Sequence, residues 1–170
     1  MRLLAGLLQL EPCTRGNQHG IGALVQVHEK YAAGATRILY VDDDEDLAVT
    51  EQKMLQSLGY DVIATTSSVE ALRRFSEAPD QFDLIITDQT MPHMTGTELA
   101  TEILRIRPGI PIILCSGYSF SSDGSITLEE ASAIGIRELL PKPADSAEMV
   151  WTIRRVLGEN RNMKSRVFHG

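Results

Sequence analysis

Between Arg37 and Leu157 short apolar runs alternate with amphipathic stretches at regular spacing. The runs are Ile38 to Val41, Val62 to Ala64, Leu84 to Ile86, Ile110 to Cys115, and Leu139-Leu140. Most are continuously apolar, the pattern of parallel strands buried on both faces. The stretches between them carry helix starts and stops. Leu47, Met54, Leu55 and Leu58 share one helical face that Gly59 closes, and Ser67 with Glu70 forms a capping-box pattern before Ala71, Leu72 and Phe75. Thr95 with Glu98 opens a third helix carrying Leu99, Ile103 and Ile106, stopped by Pro108-Gly109. Thr127 with Glu130 opens a short fourth, and Asp145 with Glu148 a fifth whose Met149, Ile153, Val156 and Leu157 line one face before Gly158. Strand and helix alternating in this way predict a doubly wound α/β domain, a five-stranded parallel sheet with five helices, over residues 36–158.

The flanks read differently. Residues 1–35 are weakly patterned and glycine-bearing, an extension or linker, and residues 159–170 form a short polar tail. The opening MRLLAGLLQLEPC has one Arg and then a short apolar stretch, but Gln9 interrupts it and Glu11-Pro12 follows where a cleavage site needs small residues. It is read as an interaction helix or linker remnant, not an export signal.

Composition narrows the function. Of 170 residues 43% are hydrophobic and 23% charged, an ordinary soluble balance with no membrane span. A formal net charge of −7 disfavours direct nucleic-acid binding, and Arg161, Lys164 and Arg166 in the tail are too few to reverse it. Two cysteines, Cys13 and Cys115, do not make a disulfide framework; Cys115 sits in an apolar run as a small buried thiol, and a reducing cytoplasm fits.

In an open parallel sheet, ligands sit beyond the carboxyl ends of the strands. After the first run comes VDDDEDL, five consecutive acids from Asp42 to Asp46. Neighbouring acids repel by roughly 1 kcal/mol per pair even in water, so some need a positive partner. After the third run stands Asp88 in DLIITDQTMPHMTG, after the fourth Ser116-Gly117 in ILCSGYS, and after the fifth Lys142 in LLPKP. Three carboxylates from two strand ends suit a hard dication such as Mg²⁺, which keeps several waters. Asp44, Glu45 and Asp46 instead suit the positive end of the following helix.

Together these residues resemble the receiver domain of two-component response regulators, in the order acidic pair, Asp with Met-Pro and Gly after it, Ser, then Lys-Pro. ILCSGYS and GIRELLPKP look most like receivers attached to hybrid sensor histidine kinases. The resemblance implies the flavodoxin-like receiver fold and a phosphorelay role. Asp88 would be the phosphoacceptor, taking a phosphoryl group from a histidine kinase or histidine phosphotransfer protein. Mg²⁺ would be held by Asp43 and Asp88 directly, by Asp42 through water, and by the backbone carbonyl of Thr90. Lys142, aimed inward by a cis bond to Pro143, would pair with one phosphoryl oxygen and the Ser116 hydroxyl with another. The output would be a conformational signal to an unidentified partner, with no turnover of an external substrate.

Some positions depart from the family pattern. Leu139 stands where receivers usually carry Tyr or Phe, so the aromatic readout of phosphorylation is missing. The loop Gly117 to Ile126 is long and polar, a mobile or partner-specific element. Thr90 and Tyr118 flank the approach of attacking water and neither orients it well, which predicts slow self-dephosphorylation. His93 is expected to be exposed and non-catalytic, Trp151 to face outward, and His19, His28 and His169 show no metal-ligand spacing. With no kinase core or helix-turn-helix pattern, the sequence reads as a lone receiver or one separated from its kinase. The competing readings are a receiver-like interaction module that is never phosphorylated, and a Mg²⁺-dependent aspartyl-phosphate phosphatase. The latter needs a second acid where Thr90 stands.

Overall fold

The computed structural model describes residues 35–117 and 126–158. The expectations about residues 1–34, Tyr118 with most of its loop, and the tail lie outside these residues, as do Cys13, His19, His28 and His169. Within the described residues five strands and five α-helices alternate. The strands are β1 (Arg37–Val41), β2 (Asp61–Thr65), β3 (Leu84–Asp88), β4 (Ile112–Gly117) and β5 (Glu138–Lys142). The helices are α1 (Glu45–Ser57), α2 (Ser68–Glu77), α3 (Gly96–Ile106), α4 (Leu128–Ile134) and α5 (Ser146–Val156). All pairings are parallel, in the order β2-β1-β3-β4-β5. The winding therefore reverses between β1 and β3.

Alternation along the strands divides the core into two layers. Ile38, Tyr40, Leu84, Ile86, Ile113 and Cys115 face one side, where Ala48 and Leu55 of α1 and Met149 and Ile153 of α5 cover them. Leu39, Val41, Ile85, Ile112 and Leu114 face the other, against Ala71 and Phe75 of α2, Leu99 and Ile103 of α3, and Ala131 of α4. Each such aliphatic side chain contributes about 1.5–3 kcal/mol through burial, so both layers bind the sheet tightly. The continuous apolar runs are explained by this double cover.

Helix starts follow the sequence signals, with two differences. Thr95 and Thr127 form complete capping boxes with Glu98 and Glu130. Ser67 accepts from the Glu70 backbone, but the Glu70 carboxylate is drawn to Arg73 and Arg74, so only half that box forms. Asp145 likewise accepts from the Glu148 backbone without a return bond. Asp44 caps α1 by accepting from the Leu47 backbone at 3.0 Å, with Glu45 and Asp46 in the first turn as expected. At the other end of α1 Gly59 adopts φ +94°, a left-handed turn that a side chain would strain.

Strand limits differ by a few residues. β4 begins at Ile112, because Pro111 has no N–H to give; its carbonyl still accepts from Ile85 at 3.1 Å. A 3₁₀ turn at Pro79–Gln81 before β3 has no counterpart in the sequence reading, and Phe82 after it stacks on Phe75 with centroids 6.0 Å apart. Ile106, expected on the buried face of α3, is 41% exposed in the helix's last turn.

Candidate functional site

The strand ends carry the chemistry because the ladders run up to it. Asp88 is the last residue of β3 and sits opposite Cys115 of β4; the next rungs place Ser116 beside Pro141 and Gly117 beside Lys142. Asp42 follows β1 directly, and its backbone N–H donates to the Thr65 carbonyl at 3.2 Å. Asp42, Asp88 and Lys142 continue the parity of Tyr40, Ile86 and Leu140, so they emerge on the α1/α5 side of the sheet at the reversal of winding.

The lysine bridges the two aspartates. Lys142 Nζ lies 2.6 Å from Asp42 Oδ2 and 2.5 Å from Asp88 Oδ1. Both acids are buried, at 2% and 7% exposure, and two unneutralised carboxylates there would be severely destabilising. Backbone donors hold the other oxygens: Thr90 N–H gives to Asp88 Oδ2 at 2.6 Å, and Asp44 N–H to Asp42 Oδ1 at 3.0 Å. Burial acts to lower the Lys142 pKa, but the hydrogen bonds to Asp42 and Asp88 outweigh it and the net direction is upward. The ammonium stays charged at neutral pH. The Lys142-Pro143 peptide is cis.

The segment after Asp88 is pinned in place. Gln89 N–H donates to the Cys115 carbonyl at 2.8 Å, and its side-chain oxygen accepts from Thr97 N–H at 3.2 Å. Gly96 N–H returns to the Gln89 carbonyl at 3.0 Å. This brings Gly96 so close that an added Cβ would lie 2.2 Å from the Asp88 carbonyl oxygen, a contact no side chain tolerates. The sequence reading noted a glycine after Met-Pro as part of the pattern but assigned it no contact; only the folded loop shows why it must be small.

The remaining candidates fall around this centre. Asp43 is exposed beside Asp42, Thr90 is exposed after Asp88, and Ser116 is half-buried at the end of β4. His93 is exposed with φ 69°, and Trp151 is 53% exposed under the Arg155 guanidinium, both as expected. Burial pushes the Cys115 thiol up to about 12, so it is inert at neutral pH. Leu139 packs with the α2/α3/α4 layer, on the side of the sheet away from Asp42 and Lys142.

Sequence reasoning missed Glu51. This α1 residue has a carboxylate oxygen, Oε2, that is buried without a hydrogen-bond partner. Burial and then the Asp42 charge raise its pKa, against the opposing pull of Lys142. Its spacing of four from both Leu47 and Leu55 was the available signal, an acid on an apolar stripe.

Among the described residues no group of three acids, histidines or cysteines is already arranged to hold a metal. The donor chemistry nevertheless fits Mg²⁺: the side chains beside Lys142 offer hard carboxylate oxygens, and this ion takes few carboxylates while keeping water. No helix among the described residues is long and apolar enough to cross a membrane.

Comparison with known proteins agrees with this geometry. Residues 38–154 match the family model described as the response regulator receiver domain. The chain is 38% identical over 126 residues to the DNA-binding transcriptional regulator NtrC of Azospirillum brasilense, covering 74% of this chain and 25% of that protein. It is 30% identical to the sensor kinase CckA of Brucella abortus, covering 74% of this chain and 13% of that one. The match thus spans a quarter or less of these two relatives. Among solved structures, a receiver domain protein from Clostridium thermocellum superposes with a TM-score of 0.66 at 27% identity, covering 73% of this chain and 95% of that one. The chemotaxis protein CheY4 of Vibrio cholerae gives 0.64 at 29%, covering 72% and 99%. With the family model matching residues 38–154, a span that holds both acidic strand ends, the chain belongs to the response regulator receiver domains of two-component systems.

Proposed function

We propose that the protein is the phosphoacceptor module of a phosphorelay and that Asp88 accepts the phosphoryl group. The supporting observation is the Lys142 bridge, which presents the buried Asp88 carboxylate at the mouth of the sheet beside a second acid and a fixed cation. A carboxylate oxygen of Asp88 attacks the phosphorus of a phosphohistidine; the O–P bond forms, the P–N bond breaks, and the released imidazole takes up a proton. Lys142 is already within bonding reach and would shift from the carboxylate to a phosphoryl oxygen, with the Ser116 hydroxyl on another. Phosphoryl transfer needs chiefly positioning and charge neutralisation. Asp42, Asp43, Asp88 and the Thr90 carbonyl would hold Mg²⁺, which supplies neutralisation of charge on the transferring group.

The donor is a histidine kinase or histidine phosphotransfer protein, and the protein works in the cytoplasm. Residues 36–158 form the receiver unit, residues 1–35 and 159–170 being extensions. NtrC is described as a DNA-binding transcriptional regulator and CckA as a sensor kinase; here the receiver acts through contact with a partner, not through nucleic acid. With Leu139 in the aromatic's place, the signal passes from Ser116 into the following loop. Thr90 offers no acid or amide to orient water, so the acyl phosphate is long-lived.

Incubation with Mg²⁺ and acetyl phosphate or phosphoramidate, followed by intact-mass measurement, tests this reading. A gain of one phosphoryl group that is lost with EDTA or in Asp88→Asn is expected. An unchanged mass with both donors, together with no Mg²⁺ binding, would favour an interaction module that is never phosphorylated.

A further inference from the structure

Behind Lys142, between α1 and the connection from β5 to α5, lies a cavity of about 360 Å³. It is lined by Tyr40, Leu47, Cys115, Pro143, Ala144 and Met149. These are apolar surfaces. Glu51 also lines it, and the Oε2 oxygen of this residue is buried with no hydrogen-bond partner. Lys142 closes one end, but its ammonium is already committed to Asp42 and Asp88. Among the described lining residues, Glu51 therefore carries the one charge without a counter-ion.

A buried carboxylate oxygen without a donor is costly, and a ligand that supplies one gains what the protein lacks. The volume is at the lower end of the roughly 300–1,000 Å³ typical of ligand pockets, which suits a compact molecule. We propose that this cavity binds a small organic cation, an ammonium or guanidinium group on an apolar body, with the cation against Glu51 and the body between Leu47 and Met149. Glu51 lines the cavity, and although its Oε2 has almost no accessible surface as it stands, a turn of the carboxylate would present it to a small molecule held there. The proposal does not depend on Asp88 being phosphorylated. Because Lys142 forms part of the lining, an occupant would touch the residue that bridges Asp42 and Asp88, and the two sites would be coupled reciprocally.

The test is an amide-shift NMR titration of the full chain with phenethylamine, using 2-phenylethanol and phenylacetate as neutral and anionic analogues of similar shape. Saturable shifts at Tyr40, Leu47, Glu51 and Met149 are expected with the amine, at an affinity about tenfold above the alcohol's, as a charge-assisted hydrogen bond implies. Glu51→Gln should erase that advantage, and Ala144→Ile, which narrows the cavity without touching the charge, should weaken all three ligands. Equal binding of amine and alcohol, amine binding undiminished in either variant, or no saturable shift at these residues would overturn the proposal.

Discussion

The two ends of the sheet each carry a cation paired with acid, and they differ in what surrounds it. At the amino end Arg37 Nε meets Asp61 Oδ2 at 2.6 Å, with both side chains more than a third exposed. The Arg37 backbone N–H donates to Asp83 Oδ2 at 2.8 Å, and its guanidinium reaches Gln81 at 3.1 Å. At the carboxyl end Lys142 meets two acids that are almost entirely buried. Distances are alike, but the first cluster keeps its water and the second has lost it. An exposed pair is worth little because solvent competes for both partners, whereas a buried pair is costly to assemble and costlier to break. The carboxyl cluster is a poor way to stabilise a sheet and a good way to hold a reactive carboxylate beside a movable cation.

Breaking the buried cluster should have the largest effect. Lys142→Met leaves Asp42 and Asp88 facing each other without a cation, and a loss of about 3 kcal/mol in urea unfolding at neutral pH is expected, as for other buried pairs that lose one partner. Asp88→Asn removes one of the two charges and should cost far less, or stabilise. If both variants unfold alike, the like-charge explanation fails.

Gly96→Ala should come next. Its Cβ would collide with the Asp88 carbonyl, so the loop must shift, at a cost of about 1–3 kcal/mol typical of overpacked sites. Phosphoryl uptake should fall more than stability does, because the shift moves the Asp88 backbone. A wild-type uptake rate in a destabilised variant would separate the loop from the chemistry.

At the amino end, Asp61→Asn should change stability by about 0.2–1 kcal/mol, and the difference should shrink as salt is raised. A loss comparable to that of Lys142→Met would abolish the contrast between the two ends.

The smallest effect is a titration. Glu70 is half-buried at the helix surface, and hydrogen bonds from Arg73 and then Arg74 hold its carboxyl down at about 2. Because the folded value lies below the ordinary one, its contribution is present above pH ~4.5 and fades as pH falls toward ~2. Carboxyl carbon shifts of Glu70 should move in that lower window; a midpoint near the ordinary glutamate value would show that the Arg contacts are not held in solution.

How far the sequence carried varied with the kind of interaction. Continuous apolar runs marked every strand because the sheet is covered on both faces, and Thr95 and Thr127 marked helix starts through local bonds that need no tertiary context. Asp42, Asp88, Ser116 and Lys142 were legible as strand-end residues because parallel topology gathers such ends. What the sequence did not reveal depends on approach in three dimensions. Glu70 looked like the second half of a capping box until Arg73 and Arg74 took its carboxylate. Gly96 was legible only as the glycine after Met-Pro, with no contact assigned, until the fold set it against Asp88. Glu51 was given no role, although its place between Leu47 and Leu55 was an available signal.

The most direct measurement locates the phosphoryl group. The full chain, loaded with phosphoramidate and Mg²⁺, would be treated with borohydride, which reduces an acyl phosphate to an alcohol, and then mapped by peptide mass spectrometry. Homoserine at position 88, absent from the unloaded chain, is the predicted result. Reduction at Asp42 or Asp43 with Asp88 intact would contradict the assignment.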